Sequence, residues 1–245
     1  MIFPQLASKS TPVASINQFH YAGQPKRVAL FPDNYVELLL CTGSPITRRM
    51  IGSVRELTLD TGQVMISACR SKGVILYAEN LSYVSVKVHP ELSRMVFGDN
   101  ELEERDLIHI LDLQLKDAGE LQRFTVELVA DSTLAEDAVI QQAVFYARDT
   151  RGEIKVKELL TLLEVSKSFL EQHFFKHVGL TPKEFCKVEK MQNFINYYRQ
   201  YQDTLNLTQL TFKSGYYDQS HLIKDFRYFM DSRPRDFIKT YGFTL

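Results

Sequence analysis

The chain has 245 residues, with 29 Lys and Arg against 30 Asp and Glu for a net charge of −1, and 24% charged and 44% hydrophobic side chains. That composition is ordinary for a soluble globular protein and excludes collagen-like, disordered and disulfide-scaffold chains. The length suits one large domain or two small ones. The three cysteines, Cys41, Cys69 and Cys186, are far apart and odd in number, which fits a reduced, cytoplasmic setting.

Met1 to Ser10 shows no basic start followed by an apolar run, so no signal peptide is expected. The first ninety residues read as short strands: Val28–Phe31, Tyr35–Leu40, Val54–Leu59, Val64–Ser67, Val74–Tyr77 and Tyr83–Val88. Turn signals separate them at Pro32-Asp33-Asn34, Gly43-Ser44-Pro45, Asp60-Thr61-Gly62 and Lys72-Gly73. The two segments around Thr61-Gly62 read as a hairpin. The longest early apolar run, Val36 to Cys41, is interrupted by Glu37 and too short to cross a bilayer.

From Glu91 the texture changes. Leu102, Leu107, Ile110, Leu111, Leu113 and Leu115 recur at helical spacing behind the acidic run Asp99–Asp106, which reads as a solvated helix start. Amphipathic helices are expected over Glu120–Ala130 and Leu134–Ala147, and Gly152 reads as a linker. Beyond it every segment is helical in pattern: Val156–Leu163, Ser166–Val178, Pro182–Tyr201, Leu207–Ser214, Asp218–Met230 and Pro234–Tyr241. The fold class is therefore α+β, with a β-rich front domain and trailing helices over residues 1–150 and an all-α domain over residues 151–245.

Splitting the charge at Thr150 changes its meaning. Residues 1–150 hold 14 basic against 19 acidic side chains, a net −5, whereas residues 151–245 hold 15 against 11, a net +4. Of the 28 Phe and Tyr, 17 fall in the last 95 residues. An acidic front half and a basic back half point to two domains with different partners.

The back half contains one pattern twice. In the first copy Leu159, Leu160 and Leu163 face inward and Ser166 is positioned as an N-cap. Leu170, Phe174 and Val178 form a buried stripe, with Ser168, Glu171, Gln172 and Phe175 opposite. Gly179-Leu180-Thr181-Pro182 closes that helix and opens the next. In the second copy Leu207 and Leu210 anchor a short helix, Gly215 turns, and Asp218 heads a helix with Leu222, Phe226 and Phe229 buried. Ser220, Lys224 and Arg227 lie opposite, with Gln219 and His221 at the exposed N-terminal end. Pro234-Arg235-Asp236-Phe237 echoes Pro182-Lys183-Glu184-Phe185. The 20-residue helix between the copies spans roughly 30 Å, close to the ~34 Å between successive major grooves on one face of B-DNA.

Residues from about Lys155 to Lys239 resemble the DNA-binding domain of AraC/XylS-type transcription regulators. Gly215-Tyr-Tyr-Asp-Gln-Ser-His-Leu-Ile-Lys-Asp-Phe-Arg-Tyr-Phe and Arg233-Pro-Arg-Asp-Phe237 carry the likeness, supported by Ser166, Leu170, Phe174 and Gly179-Leu-Thr-Pro182. The resemblance implies base-reading positions at Ser168, Glu171 and Gln172, and at Gln219, Ser220, His221 and Lys224. It implies phosphate contacts at Lys167, Lys176, Lys183, Arg227 and Arg235. The chain departs from the family pattern at Gln172, where Arg is usual, at Glu164 and Asp231, where glycine is usual, and at Thr211, Lys190 and Phe194.

Pro32 to Leu40 and Val86 to Glu91 resemble an uncharacterised front domain of some AraC-type regulators, without the two glycines that usually follow its last strand. The family uses this domain for effector sensing or dimerisation. Double-stranded DNA is thus the expected partner, with RNA polymerase, a small-molecule effector and a second copy of the chain as further candidates, and no membrane. An alternative is a ligand-binding or interaction module with weak, non-specific DNA affinity.

Other patterns have simpler explanations. His173 and His177 sit at the i, i+4 spacing of a metal pair, but no third ligand is near in sequence, so no metal or cofactor is expected. His89 reads as a turn residue and Asp218 as a helix start. Cys41 and Cys69 read as small core residues of strands, and Tyr197, Tyr198 and Tyr201 as helical core packing. No catalytic constellation marks an enzyme.

Overall fold

The computed structural model describes residues 12–21, 26–98, 107–131 and 137–241. Strands β1 (Val13–Tyr21), β2 (Lys26–Leu30), β3 (Val36–Cys41), β4 (Ile46–Met50), β5 (Glu56–Leu59), β6 (Val64–Ser67), β7 (Val74–Ala78), β8 (Leu81–Val88) and β9 (Ile108–Leu111) form two antiparallel sheets. One has the order β1-β8-β3-β6-β9 and the other β2-β7-β4-β5. The period-2 alternation of strands explains how they stack. On β3, Leu39 and Cys41 join Met65 and Tyr83 in a core with Val28, Leu30, Val74 and Leu76 of the four-stranded sheet. Val36, Leu38 and Leu40 point the other way into a core shared with the helices. The five-stranded sheet therefore lies between the four-stranded sheet and a helical layer.

Two expectations for this half are corrected. The segments around Thr61-Gly62 do not pair with each other. β5 pairs with β4, whereas β6 pairs with β3 and β9, so the turn carries the chain from one sheet to the other. Gly62 adopts φ +85°, and its N–H donates to the Cys41 carbonyl at 2.8 Å. β6 is thereby paired on both sides, whereas β5 forms the edge of the four-stranded sheet. The helix expected across Leu102–Leu115 is also absent over Ile108–Leu111, which completes the open edge of β6 as strand β9. Leu107, Leu111 and Leu115 pack on the core from there. The acidic run Asp99–Asp106 lies outside the described residues. β1 and β4 escape the sequence pattern because polar residues interrupt them, including Asn17 and Gln18 on β1 and Arg48 and Arg49 on β4. Cys69 is buried just beyond β6 rather than within a strand.

The helices are α1 (Ser93–Phe97, after one 3-10 turn), α2 (Ala118–Ala130), α3 (Ala138–Asp149), α4 (Val156–Leu163), α5 (Lys167–Val178), α6 (Pro182–Tyr201), α7 (Leu207–Lys213), α8 (Gln219–Met230) and α9 (Pro234–Tyr241). From α4 onward they follow the periodicity closely. Ser166 accepts from the Phe169 N–H at 3.2 Å, and Asp218 accepts from the His221 N–H at 2.9 Å, as N-caps do. Gly179 closes α5 at φ +80°. Glu164 and Asp231 close α4 and α8 in the same left-handed region, at φ +55° and +50°. A side chain there costs roughly 1–2 kcal/mol, so the two departures from the glycine pattern carry local strain.

The two copies of the helical pattern cover opposite faces of the strand layers. Leu159, Leu170, Phe174, Val178 and Phe185 share a core with Val36, Leu38, Ile66 and Val86 of the five-stranded sheet, and with Leu121, Ile140 and Val144 of α2 and α3. Leu210, Leu222, Phe226, Phe229 and Phe237 instead take up Ala29, Phe31 and Ile75 from the outer side of the other sheet. The Phe31 ring meets those of Phe226 and Phe237 edge-on, with centroids 5.3 and 5.0 Å away. α6 serves both cores, through Phe185 near its start and through Val188, Met191, Phe194 and Ile195 further along. Gly152 is a close-packed corner: its N–H donates to Ala147 at 2.7 Å, and a Cβ would collide with the Cys186 carbonyl.

A buried polar node fixes α6 on the front half. Asn34, fully buried at φ +57°, donates through Nδ2 to the Phe185 carbonyl at 2.8 Å and to Glu189 Oε1 at 3.0 Å. Gln192 Nε2 donates to the Pro32 carbonyl at 2.6 Å, and Arg148 Nε lies 3.7 Å from Glu189 Oε1. Burial raises the Glu189 pKa, with Asn34 and Arg148 pulling it back down. Arg148 Nη1 is also 3.3 Å from His89 Nδ1, and its guanidinium stacks 4.5 Å from the centre of the Tyr35 ring.

Asn34→Gly keeps the left-handed backbone but removes both side-chain hydrogen bonds, so urea unfolding should show a loss of about 2–3 kcal/mol. Asn34→Ala should cost about 1 kcal/mol more, because its Cβ is strained there; equal losses would mean that the backbone conformation contributes nothing. His89 is held below its ordinary value of 6.5, chiefly by burial and also by Arg148, with Glu91 opposing. Its folded pKa therefore lies under its unfolded one. The stability it contributes is complete above pH 6.5 and drains as pH falls through the folded value. The thermal midpoint should drop on acidification from neutral pH, and His89→Gln should flatten that drop.

Candidate nucleic-acid interface

The buried stripes of α5 and α8 determine which side chains remain outside. Leu170, Phe174 and Val178 are inaccessible, as are Leu222, Phe226 and Phe229. On α5, Ser168, Glu171 and Gln172 are exposed together, with Phe175 half-buried beside them. On α8, Ser220, His221 and Lys224 are exposed and Gln219 is half-buried. Aligned on their caps and buried stripes, the two units place Ser168 with Ser220 and Gln172 with Lys224 at corresponding positions, on either side of the 20-residue helix α6. Lys167, Lys176, Lys183, Arg227 and Arg235 are all exposed as well.

Local contacts pre-set several of these side chains. Lys167 Nζ lies 3.7 Å from Glu171 Oε1, one turn along α5. Gln219 Nε2 donates to Thr208 Oγ1 of α7 at 2.6 Å, so the short helix orients the first polar side chain of the longer one. Asp218 caps α8 with one oxygen and holds His221 Nδ1 at 3.2 Å with the other. The His221 backbone N–H is the main cause of the Asp218 pKa lying below the usual carboxylate range. Lys187 and Asp225, 3.1 Å apart, tie α6 to α8.

Sequence reasoning missed the aromatics around these faces. Tyr217 is 84% exposed and Phe212 58% exposed, on the turn and short helix of the second unit. The Tyr217 ring meets His221 edge-on at 6.4 Å. The adjacent Tyr216-Tyr217 pair was the available signal, since one ring is buried and its neighbour must then point outward. Tyr197, Tyr198 and Tyr201 pack partly buried against the second core. Sequence reading also found no third ligand for His173 and His177, whereas the fold brings Asp137 to both.

A polar recess lies between the front half and α6. It lies where the open end of the strand layers meets α6, has a volume of about 100 Å³, and is lined in part by Glu37, Arg70, Tyr83, Lys87, Gln192 and Arg199. Ser85 Oγ donates to Glu37 Oε1 at 2.6 Å, Arg70 Nη1 lies 3.5 Å from Glu37 Oε2, and Lys87 pairs with Asp33. The buried Tyr83 hydroxyl has no hydrogen-bond partner among the described residues. Among the described residues, no helix is long and apolar enough to cross a membrane.

Residues 159–240 match the family model described as a helix-turn-helix domain. No curated protein matches the chain at significance in a sequence comparison. Among solved structures, ToxT from Vibrio cholerae is similar over 92% of this chain and 97% of its own, with a TM-score of 0.57 and 9% identity. Its complex with an unsaturated fatty acid is similar over 97% of this chain and 99% of its own, at 0.56 and 11%. Its complex with (E)-4-(8-methylnaphthalen-1-yl)but-3-enoic acid gives 94%, 99%, 0.57 and 10%. At these identities the likeness is one of fold, and it extends over both halves. Residues 159–240 are therefore a helix-turn-helix domain. The residues that carry the AraC-type resemblance lie within that match.

Glu171 opposes a polyanion wherever α5 approaches one. Glu171→Gln removes that repulsion and releases Lys167, so affinity for random duplex should rise roughly fivefold at low salt, equivalent to about 1 kcal/mol. Fluorescence anisotropy would measure it, and an unchanged affinity would place α5 away from DNA.

Proposed function

We propose that the protein is a sequence-specific regulator that places α5 and α8 in successive major grooves of one duplex. The observation that carries this reading is the exposure of Ser168, Glu171 and Gln172 on one helix and of Ser220, His221 and Lys224 on the other, with Ser168 and Gln172 matching Ser220 and Lys224 outside fully buried stripes. Gln172 and Gln219 suit adenine, Lys224 suits guanine, and Glu171 can accept from cytosine, each good pair giving ~1–3 kcal/mol of discrimination. Lys167, Lys176, Lys183, Arg227 and Arg235 position the protein on phosphates, and the Tyr217 hydroxyl is placed to join them. Functionally, residues 151–245 bind DNA, and residues 1–150 sense a signal or dimerise.

The signal in this reading is a small acid held at the recess beside α6. Arg70, Lys87 and Arg199 supply cationic lining, and ToxT structures hold an unsaturated fatty acid and a substituted butenoic acid. The recess of about 100 Å³ is well below the ~300–1,000 Å³ of ordinary ligand sites. A long-chain acid would therefore have to displace α6, and through it both recognition helices.

DNA selection followed by anisotropy titration tests the main reading. Lys224→Ala and Gln219→Ala should each relax preference at one or two base pairs by ~1–3 kcal/mol. Lys183→Ala should weaken all sequences alike and lower the salt slope by about 1. Salt-dependent binding that is indifferent to sequence would favour the alternative of an interaction module with weak, non-specific DNA affinity.

A further inference from the structure

α5 has a third side, beside its apolar stripe, that the proposed DNA face does not use. Phe169, His173 and His177 follow one another at four-residue steps, with the first two rings stacked at 4.4 Å and the two imidazoles 5.1 Å apart between centroids. This flank faces Asp137, the residue that opens α3 in the front half. Asp137 Oδ1 accepts from the Val139 and Ile140 N–H groups at 2.9 and 3.1 Å, which fixes the carboxylate and leaves its other oxygen free to turn to α5. That oxygen, Oδ2, lies 3.0 Å from His173 Nε2 and 3.8 Å from His177 Nε2.

We propose that Asp137, His173 and His177 form a binding site for a divalent transition metal of the zinc class, joining the first recognition helix to the front half. Two imidazoles one helical turn apart are a natural chelating pair. Metal–nitrogen and metal–oxygen bonds of about 2.0–2.2 Å put neighbouring tetrahedral ligands roughly 3.4 Å apart. The two carboxylate–imidazole separations bracket that value, and all three ligand atoms lie within 4.8 Å of one another. Modest side-chain rotations therefore suffice to close the site.

The donor set of two nitrogens and one oxygen suits Zn²⁺, Co²⁺ or Ni²⁺ and disfavours Mg²⁺ and Ca²⁺, which prefer all-oxygen shells. His177 is buried, whereas His173 and Asp137 are partly accessible and give the ion an entry side. The capping bonds to Asp137 act as an outer shell that aims the ligand. Arg94 of α1 is the competitor: its Nη1 lies 3.3 Å from His177 Nε2, so a guanidinium now meets the lone pair that a metal would take. A bound ion must displace it, and removing that cation should strengthen metal binding.

The test is calorimetric titration of the full-length protein with Zn²⁺, with Co²⁺ absorption reporting the geometry. One ion per chain and tetrahedral visible bands are expected. Asp137→Asn keeps a capping oxygen, and His173→Gln alters a partly exposed position, so both should fold, which circular dichroism checks. Each should weaken Zn²⁺ at least about 100-fold, and Arg94→Gln should tighten it. Zn²⁺ should raise the thermal midpoint of the wild type but not of His173→Gln. Absence of saturable one-to-one binding to the wild type, or wild-type affinity in either ligand variant, would overturn the proposal. Loss in His173→Gln with retention in Asp137→Asn would reduce the site to a bare histidine pair and overturn it equally. DNA binding by the metal-free protein is a separate measurement, because Ser168, Glu171 and Gln172 lie on a different side of α5.

Discussion

The arrangement of the molecule depends on one buried amide. Asn34 holds α6 by a backbone carbonyl and a carboxylate at once, from a turn whose left-handed conformation an asparagine tolerates better than most residues. Glu189 in turn engages Arg148 at the end of α3, and Arg148 reaches back to His89 beyond the last long strand. Three segments far apart in sequence are thereby fixed to the first half of α6. Since α6 contributes to both hydrophobic cores, its placement sets where α5 and α8 lie.

The apolar side of the second unit explains why the front half is more than an appended module. A two-layer strand arrangement normally leaves its outer faces to solvent or to other helices. Here Ala29, Phe31 and Ile75 are apolar on the outside, and α8 and α9 cover them. The first unit covers the opposite side together with α2 and α3. Any movement of α6 away from the strand layers would expose apolar surface on both sides, which makes the docked state cooperative. A ligand acting at the recess beside α6 would work against that cost.

The back half was legible because its information is local. Stripes such as Leu170-Phe174-Val178 and Leu222-Phe226-Phe229 repeat at helical spacing, and the caps at Ser166 and Asp218 sit beside the groups they satisfy. The front half was less legible because strand pairing is non-local. Asp60-Thr61-Gly62 has the chemistry of a hairpin turn, but nothing in those residues states that β5 belongs with β4 and β6 with β3. Ile108–Leu111 has the apolar content of a helix face, and only the open edge of β6 makes it a strand. Asp137 stands 36 residues before His173, so its approach to the histidine pair depends on how α3 packs against α5. Polar nodes such as the one at Asn34 leave no periodic trace at all.

The turn between β6 and β7 meets the far end of α8. The Gly73 N–H donates to the Phe229 carbonyl at 2.9 Å, and the Lys72 ammonium reaches the Tyr228 carbonyl while lying 3.9 Å from the centre of the Tyr228 ring. A helix cannot satisfy its last carbonyls itself, and a cation there also complements the helix dipole. The front half thus finishes a helix that belongs to the helix-turn-helix domain. Separation of the two would leave those carbonyls to water and let α8 fray from its C-terminal end, opposite the end that presents Ser220 and His221. Whether the halves are together is thereby written into the length of α8.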